Sequence, residues 1–167
     1  MKKELTFDQV DQLLSYDADT GLLIWKVSRK GTKGIGSVAG CVNGDGYLQV
    51  KVHGKLYQAH RLAWFLSKGT WPSQQLDHIN GIKTDNRIVN LRECTDAENK
   101  QNRGKSSNNT SGVPGVGWHK QRKKWRAQIK VNGKNIHLGW FDTIEEAAAA
   151  RAAAKEKYHQ FNPVDRE

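Results

Sequence analysis

A run of small and polar residues, Arg103-Gly-Lys-Ser-Ser-Asn-Asn-Thr-Ser-Gly112, most constrains how this chain can fold. The run holds no large apolar side chain, so it cannot contribute to a packed core and is typical of a linker. It divides a chain of 167 residues into parts that each bury only a modest core. We therefore expect an α+β protein of small modules, divided by a linker over residues 104–112, with residues 113–160 as the last module.

The charge of the chain indicates a polyanionic partner. Lys and Arg number 27 against 17 Asp and Glu, which gives a net charge of +10. Residues 1–50 hold six basic and six acidic side chains, whereas residues 100–140 hold ten basic and no acidic ones. Such a concentrated excess is typical of nucleic-acid binding.

A membrane surface is the alternative polyanion, and the sequence does not favour it. No apolar run approaches the roughly 18 residues needed to span a bilayer, and no signal-peptide core follows Met1. The Ala-rich segment near the C-terminus lacks the bulky apolar side chains of a membrane-surface helix. We expect a soluble cytoplasmic protein with no membrane partner.

The two cysteines exclude the common cysteine-based sites. Cys41 and Cys94 are far apart and form no C-x-x-C pair, so neither a disulfide framework nor a four-ligand zinc site follows from them. We expect both thiols to be small buried core residues. A metal bound by this chain is therefore expected to have oxygen and nitrogen ligands.

The segments before the linker alternate between helix and strand signals. A capping box at Thr6-Phe-Asp-Gln9 predicts a helix to about Leu14, and a polar turn after it predicts a following strand. Strict alternation with a His-Gly pair predicts a hairpin, which leads into a helix ending near Gly69. The predicted spans are the turn 16–21, the strand 22–26, the hairpin strands 47–52 and 55–59, and the helix 60–69.

After the linker the pattern predicts a three-stranded antiparallel sheet and one helix. The strands are expected at 116–119, 124–131 and 135–139, with Asn132-Gly133 as a hairpin turn. In the middle strand Trp125, Ala127 and Ile129 share one face, which leaves a basic face for solvent or a ligand. A capping box at 143–146 predicts a helix to about residue 158, whose alanines let it lie close to the apolar face.

Polar groups able to bind a hard metal ion and to move a proton are concentrated between residues 76 and 100. Hydrolysis of a phosphodiester needs a base that activates water and a cation that neutralises charge on the phosphate. A His beside an Asp, with amide oxygens brought close by a hairpin, could supply both. The segments are 76–86, 90–92 and 98–100.

The spacing of these groups resembles the HNH endonucleases, in particular the phage and intron-borne homing type. In the pair Asp77-His78, the histidine is followed by Asn90 twelve residues later and by Asn99 twenty-one residues later. The segment His60-Arg-Leu-Ala-Trp64 lies upstream of the pair. The resemblance implies a ββα-metal fold over about residues 56–103, in which two strands and a helix hold one divalent ion.

The same resemblance implies a role for each residue of the pattern. Asp77 and Asn99 would be metal ligands, His78 the general base, and Asn90 the residue that holds the hairpin loop and the His ring. Because Asn99 stands where many relatives have His, the site is oxygen-rich, which favours one Mg²⁺ or Mn²⁺ per active site over zinc. His60 and Arg61 would lie beside the site and contact DNA, although a packed helix position is the alternative for His60.

Residues 1–55 resemble the N-terminal region that precedes such nucleases in phage proteins. The resemblance rests on Tyr16-Asp-x-x-Thr-Gly-x-x-x-Trp25 and Gly46-Tyr-x-x-Val-x-Val-x-Gly-Lys55. It implies a scaffold that packs against the nuclease hairpin. Direct DNA contact by Arg29, Lys30 and Lys33 is the alternative.

Residues 111–159 resemble the plant ethylene-response-factor, or APETALA-type, DNA-binding domain. The resemblance rests on the segments 115–119, 124–129, 137–141 and 143–150. It implies a sheet that enters the major groove of double-stranded DNA. The residues expected to contact DNA are Trp118, His119, Lys124, Arg126, Gln128 and Lys130.

Together these features predict a metal-dependent DNA endonuclease, a phosphodiester hydrolase of the homing type that nicks or cuts double-stranded DNA. A monomer is favoured, acting in the host-cell cytoplasm if the chain is phage-encoded. The alternative is a non-catalytic, sequence-specific DNA-binding protein that keeps the nuclease fold only as a platform.

Overall fold

The computed structural model describes residues 5–31, 33–101, 108–159 and 161. Residues 1–94 form one compact unit and residues 95–167 a second one. Of the predicted linker 104–112, residues 104–107 lie outside the described residues, and the predicted domain boundaries stay predictions. Within the described ranges no helix is long and apolar enough to cross a membrane.

The chain begins with a short helix followed by a two-stranded hairpin. Helix α1 spans Phe7–Asp11 and opens with the predicted capping box at Thr6. The prediction that this helix continues to Leu14 is wrong, because strand β1 begins there and spans Leu14–Tyr16. Leu14 pairs with Trp25 of strand β2, Leu23–Trp25, and is fully buried there, an environment that a continued helix would not give it.

The second hairpin and its following helix confirm the alternation read from the sequence. Strands β3 (Cys41–Val42), β4 (Leu48–Val52) and β5 (Lys55–Gln58) form an antiparallel sheet in the order β3-β4-β5. His53 and Gly54 both have positive φ, as the tight hairpin turn requires. Helix α2 spans Ala59–Lys68 and ends at Gly69 in the left-handed conformation.

Helix α2 and the two sheets bury one core in the first unit. Its fully buried side chains include Val10, Leu14, Val50, Val52 and Leu62. Cys94 is buried as predicted, but the prediction for Cys41 is wrong, because its thiol lies exposed on the edge strand β3.

The segment that carries the HNH-like pattern folds as strand, loop, strand and helix. Strand β6 spans Gln75–His78 and pairs antiparallel with strand β7, Leu91–Cys94. A single 3-10 turn over Ile88–Asn90 precedes β7. Helix α3 spans Asp96–Gln101 and belongs to the second unit. The order of elements is the expected ββα.

The C-terminal module is a three-stranded antiparallel sheet packed on one helix, as predicted. Strands β8 (Val116–His119), β9 (Lys124–Val131) and β10 (Lys134–Phe141) lie in the order β10-β9-β8. Helix α4 spans Ile144–Tyr158 and begins with the predicted capping box at Thr143. Ala147 and Ala154 are buried on it, and so are the cations Arg151 and Lys155, which the alanine pattern did not predict.

The strand register sorts the side chains of this sheet onto two faces. Ala127 and Ile129 are buried beside Trp125 on the face that packs against α4. Trp118 lies directly opposite Trp125, and directly paired residues share a face. Trp118 is therefore on the apolar face, opposite the predicted basic residues, although 48% of it is exposed.

Candidate active site

The pair Asp77-His78 ends strand β6 and is held in the interior of the first unit. Asp77 is 7% exposed and His78 is 4% exposed. Across the hairpin Asp77 pairs with Arg92, and His78 pairs with Leu91. Buried polar side chains require partners, so the contacts of this pair define what the site can do.

Arg92 is the partner of the Asp77 carboxylate. Its Nε and a terminal nitrogen donate to Oδ2 of Asp77 at 3.2 and 3.0 Å. The side chain of Arg92 is 24% exposed, so this ion pair lies at the edge of the interior. Arg92 was not predicted as a site residue, although pairing the two strands in register would have placed it opposite Asp77.

The imidazole of His78 is oriented by Asn86. Nε2 of His78 lies 3.1 Å from Oδ1 of Asn86, and Asn86 is itself 1% exposed. An amide oxygen can only accept, so this contact places a proton on Nε2 and leaves Nδ1 as the basic nitrogen of the neutral ring. No sequence pattern singled out Asn86, since it is one of several polar residues in the loop.

Two further rings pack on His78. The ring centroid of His60 lies 5.1 Å away in an edge-to-face arrangement, and that of Tyr47 lies 5.9 Å away. Burial, and then the nearby His78 and Arg61, lower the pKa of His60 to about 3. His60 is thus a neutral ring at physiological pH, and Tyr47, from the β-rich region, is a neighbour that the sequence did not indicate.

Arg61, predicted to contact DNA beside His60, is half-buried on α2. Its guanidinium carbon lies 5.9 Å from the ring centroid of Trp71. The predicted contact of either residue with DNA stays a prediction.

Asn90 ties together the two ends of the loop between β6 and β7. Its Oδ1 accepts from the backbone N of Asn80 at 2.9 Å, and its Nδ2 donates to the carbonyl of Asp85 at 2.8 Å. Its own carbonyl accepts from the backbone N of Ile79. These hydrogen bonds join the two ends of the loop through one side chain, and the catalytic role that the resemblance implied for Asn90 stays a prediction.

Asp85 stabilises the far side of the same loop. Its carboxylate accepts two hydrogen bonds from the Arg87 guanidinium, at 2.8 and 2.6 Å, and one from Asn80 Nδ2 at 2.8 Å. The hydrogen bonds from Arg87 hold the pKa of Asp85 well below its ordinary range. The loop therefore keeps these bonds throughout the neutral pH range.

Asn99, the second predicted metal ligand, is a half-buried residue of helix α3. Its backbone N donates to the Thr95 carbonyl, and Glu98 caps the same turn by accepting from the Thr95 backbone and hydroxyl at 2.8 Å each. Among the described residues no three His, Cys, Asp or Glu side chains are grouped as a metal site would require. The two predicted metal ligands would supply one carboxylate oxygen, from Asp77, and one amide oxygen, from Asn99.

The basic face of the C-terminal sheet gathers five of the six residues of this module that were predicted to contact DNA. The register places His119, Lys124, Arg126, Gln128 and Lys130 on one face, together with three residues of β10 that were not predicted: Asn135, His137 and Trp140. Lys124 forms an ion pair with Asp142 at 2.9 Å.

Trp140 is the centre of an aromatic and cationic cluster on this face. Its ring lies 4.7 Å from His119 and 4.9 Å from His137, and the Arg122 guanidinium lies 4.9 Å from its centroid. An indole surrounded by imidazole and guanidinium groups offers a flat surface with positive charge beside it, which suits a polyanion that also carries planar rings.

Arg29, Lys30 and Lys33 line a cavity of about 800 Å³ in the β-rich region. Arg29 lies 4.6 Å from the Trp25 ring centroid and donates to the Lys51 carbonyl at 2.8 Å. None of the lining residues is acidic. Contact of these residues with DNA stays the alternative to a purely structural role for this region.

Comparison with known proteins identifies a family for the segment that contains β6, β7 and the loop between them. The family model of HNH endonucleases matches residues 57–101. Protein 3.8 of Escherichia phage T7 is 30% identical over an alignment of 115 residues, and the match covers 66% of this chain and 95% of that protein.

A solved structure, of DNA binding and cleavage by the HNH homing endonuclease I-HmuI, has a TM-score of 0.44 and 24% sequence identity. It covers 59% of this chain and 55% of the solved one, so this chain spans about half the length of that protein. Residues 57–101 thus form an HNH endonuclease domain, and the chain belongs to the same family as protein 3.8 of Escherichia phage T7.

Proposed function

We propose that this protein is a divalent-metal-dependent DNA endonuclease that hydrolyses phosphodiester bonds at the Asp77-His78 site. The observation that carries the proposal is a buried histidine whose ring is held in one orientation and which directly follows a buried carboxylate in the chain. Neither side chain belongs to the apolar core, and burial of both costs stability that a purely structural role would not explain.

His78 is proposed as the general base. With Nε2 donating to Asn86, the basic nitrogen Nδ1 takes a proton from the attacking water. The water oxygen bonds to phosphorus as the bond to the 3′ oxygen breaks, and that oxygen leaves and takes up a proton. The products then carry a 5′ phosphate and a 3′ hydroxyl.

Asp77 is proposed as a metal ligand, and Asn99 is assigned to the same ion by its position in the HNH pattern alone. A carboxylate and an amide oxygen fit a hard cation, so Mg²⁺ or Mn²⁺ is favoured over zinc. When bound, such an ion supplies positive charge to the phosphate and the leaving oxygen. Arg92 orients the Asp77 carboxylate through its two hydrogen bonds.

The C-terminal sheet is proposed to bind double-stranded DNA in the manner of an ethylene-response-factor domain. Support comes from the basic face, where Arg126 and Lys130 are exposed and Trp140 lies among cationic and imidazole groups. A binding module on the same chain raises the local concentration of the nuclease at its target. We propose a monomer with one centre that cuts one strand per event, in the cytoplasm of a phage host.

Incubation of the purified protein with supercoiled plasmid tests the proposal against a non-catalytic DNA-binding protein. With Mg²⁺ or Mn²⁺ we expect relaxed circles, and with EDTA we expect no product. Linear product would indicate double-strand cleavage. Plasmid that is bound but uncut in every divalent metal would support the DNA-binding alternative and overturn the nuclease.

Asp77→Asn is expected to weaken metal binding by about tenfold or more, because a neutral amide replaces a charged oxygen ligand. Isothermal titration with Mn²⁺ measures this directly. Asp19→Asn is the matched control, since Asp19 is an exposed carboxylate in the β1–β2 turn. Equal Mn²⁺ affinity in the two variants would remove Asp77 from the ligand set.

Arg126→Ala with Lys130→Ala is expected to flatten the slope of log affinity against log salt by up to about two units, because each lost phosphate contact removes roughly one. The affinity for a 25-base-pair duplex in EDTA gives that slope without cleavage. The control is Lys134→Ala with Lys157→Ala, which removes the same charge from β10 and α4. Lys134 pairs with Val131, so it is not on the basic face. Equal slopes for the two double variants would show that the basic face does not bind DNA.

A further inference from the structure

The hydroxyl group of Tyr16 contacts the nuclease loop at two points. Tyr16 ends strand β1 and lies seventy residues before Asn86 of the loop. Its hydroxyl donates to the carbonyl of Asn86 at 3.1 Å and accepts from the backbone N of Ile88 at 3.1 Å. A single side chain thus holds the backbone on both sides of Arg87.

Asn86 connects the Tyr16 hydroxyl to the candidate base, His78, through its carbonyl and its side chain. Its carbonyl is fixed by Tyr16, and its side chain accepts from His78 Nε2 at 3.1 Å. Asn86 is almost fully buried, so its side chain has little freedom to follow a different loop position. A shift of the Asn86 backbone therefore moves the oxygen that orients the His78 ring.

The hairpin that presents Tyr16 approaches the same part of the loop closely. A Cβ atom at Gly21, which has φ of +75°, would lie 2.5 Å from the backbone N of Arg87 and 2.8 Å from the carbonyl carbon of Asn86. No side chain fits there, so the β1–β2 turn is in backbone contact with the loop. Burial raises the pKa of Tyr16, which keeps its hydroxyl protonated and able to donate.

We propose that Tyr16 and Asn86 are positioning residues that fix the tautomer and orientation of the His78 ring. The hydrogen bonds run from the N-terminal hairpin through the loop backbone and the Asn86 amide to Nε2. This assignment rests on the proposed function for the role of His78 in cleavage. Placement of a general base matters because a displacement of about 1 Å can cost two orders of magnitude in rate.

Tyr16→Phe keeps the ring in the core and removes only the hydroxyl. We expect kcat to fall by about tenfold or more, while KM and the duplex Kd stay within about twofold, because the loss lies in the chemical step. Tyr57→Phe is the matched control: Tyr57 packs on the same core, its ring 6.0 Å from that of Trp71, and lies on β5. Thermal unfolding of both variants gives the folded fraction by which kcat is corrected.

A second measurement on the same proteins does not depend on cleavage. Side-chain ¹⁵N spectra of histidine-labelled protein report which ring nitrogen of His78 carries the proton. We expect the Nε2-protonated form in the wild type and in Tyr57→Phe, a mixture of tautomers in Asn86→Ala, and a measurable shift toward that mixture in Tyr16→Phe.

The two measurements separate this inference from the nuclease proposal. Tyr16→Phe that matches Tyr57→Phe in both corrected kcat and His78 spectrum would overturn the positioning role. If the wild type cuts no DNA, the nuclease proposal fails, and the spectra alone decide whether Tyr16 and Asn86 fix the ring. An unchanged His78 spectrum in Asn86→Ala would overturn the inference whatever the activity.

Discussion

His78→Ala is expected to abolish DNA cleavage and to leave DNA affinity unchanged. A positioned general base contributes about 10²- to 10⁴-fold to the rate of a reaction of this kind. The affinity for DNA comes mainly from cationic side chains that contact phosphates. His78 is buried and belongs neither to the basic face of the C-terminal sheet nor to the cavity lined by Arg29 and Lys30. Single-turnover cleavage of plasmid in Mg²⁺ and duplex binding in EDTA measure the two quantities separately.

The control for this variant is another histidine of the first unit. His53 lies exposed in the β4–β5 turn with φ of +46°, so His53→Asn removes an imidazole while keeping a residue that tolerates the left-handed conformation. We expect its cleavage rate to equal that of the wild type. A His78→Ala rate within about tenfold of the His53→Asn rate would rule out His78 as the general base.

The parts of the site that could be predicted lie within one short stretch of sequence. Asp77 and His78 end one strand and Asn90 directly precedes the next, at a fixed spacing in the sequence, so a pattern of residues is enough to find them. The residues that the pattern missed come from distant parts of the sequence and reach the site only through tertiary packing. Tyr16 reaches the loop from β1, and Tyr47 reaches His78 from beside β4.

The same distinction explains which elements of the fold were predicted. Capping boxes at Thr6 and Thr143 are local and were confirmed, since each is closed by a side chain three residues away. The end of α1 depends on the pairing of Leu14 with Trp25, which no local signal encodes. Trp118 was grouped with the basic residues, yet alternation from the buried Val116 places it on the apolar face.

Gly115→Ala is expected to destabilise the C-terminal module by roughly 2 to 4 kcal/mol, through left-handed strain and a backbone clash together. Gly115 has φ of +77°, and a Cβ atom there would lie 2.3 Å from the carbonyl oxygen of Gln128 and 2.9 Å from Arg151 Nε. The carbonyl of Gly115 also accepts from the Gln128 backbone N at 2.9 Å. Relief of the clash would therefore displace the chain entering β8 from the centre of β9.

Gly117→Ala supplies the matched comparison two residues along the same segment. A Cβ atom at Gly117 meets nothing within 4 Å, and Gly117 lacks a positive φ, so we expect little change in stability. Because about 1 kcal/mol shifts the midpoint of a domain this small by roughly 4 to 8 °C, the two variants should differ by about 10 °C or more. Hydrogen exchange of the β9 amides assigns that difference to the C-terminal module. Similar midpoints would mean that the chain entering β8 does not make this close contact with β9.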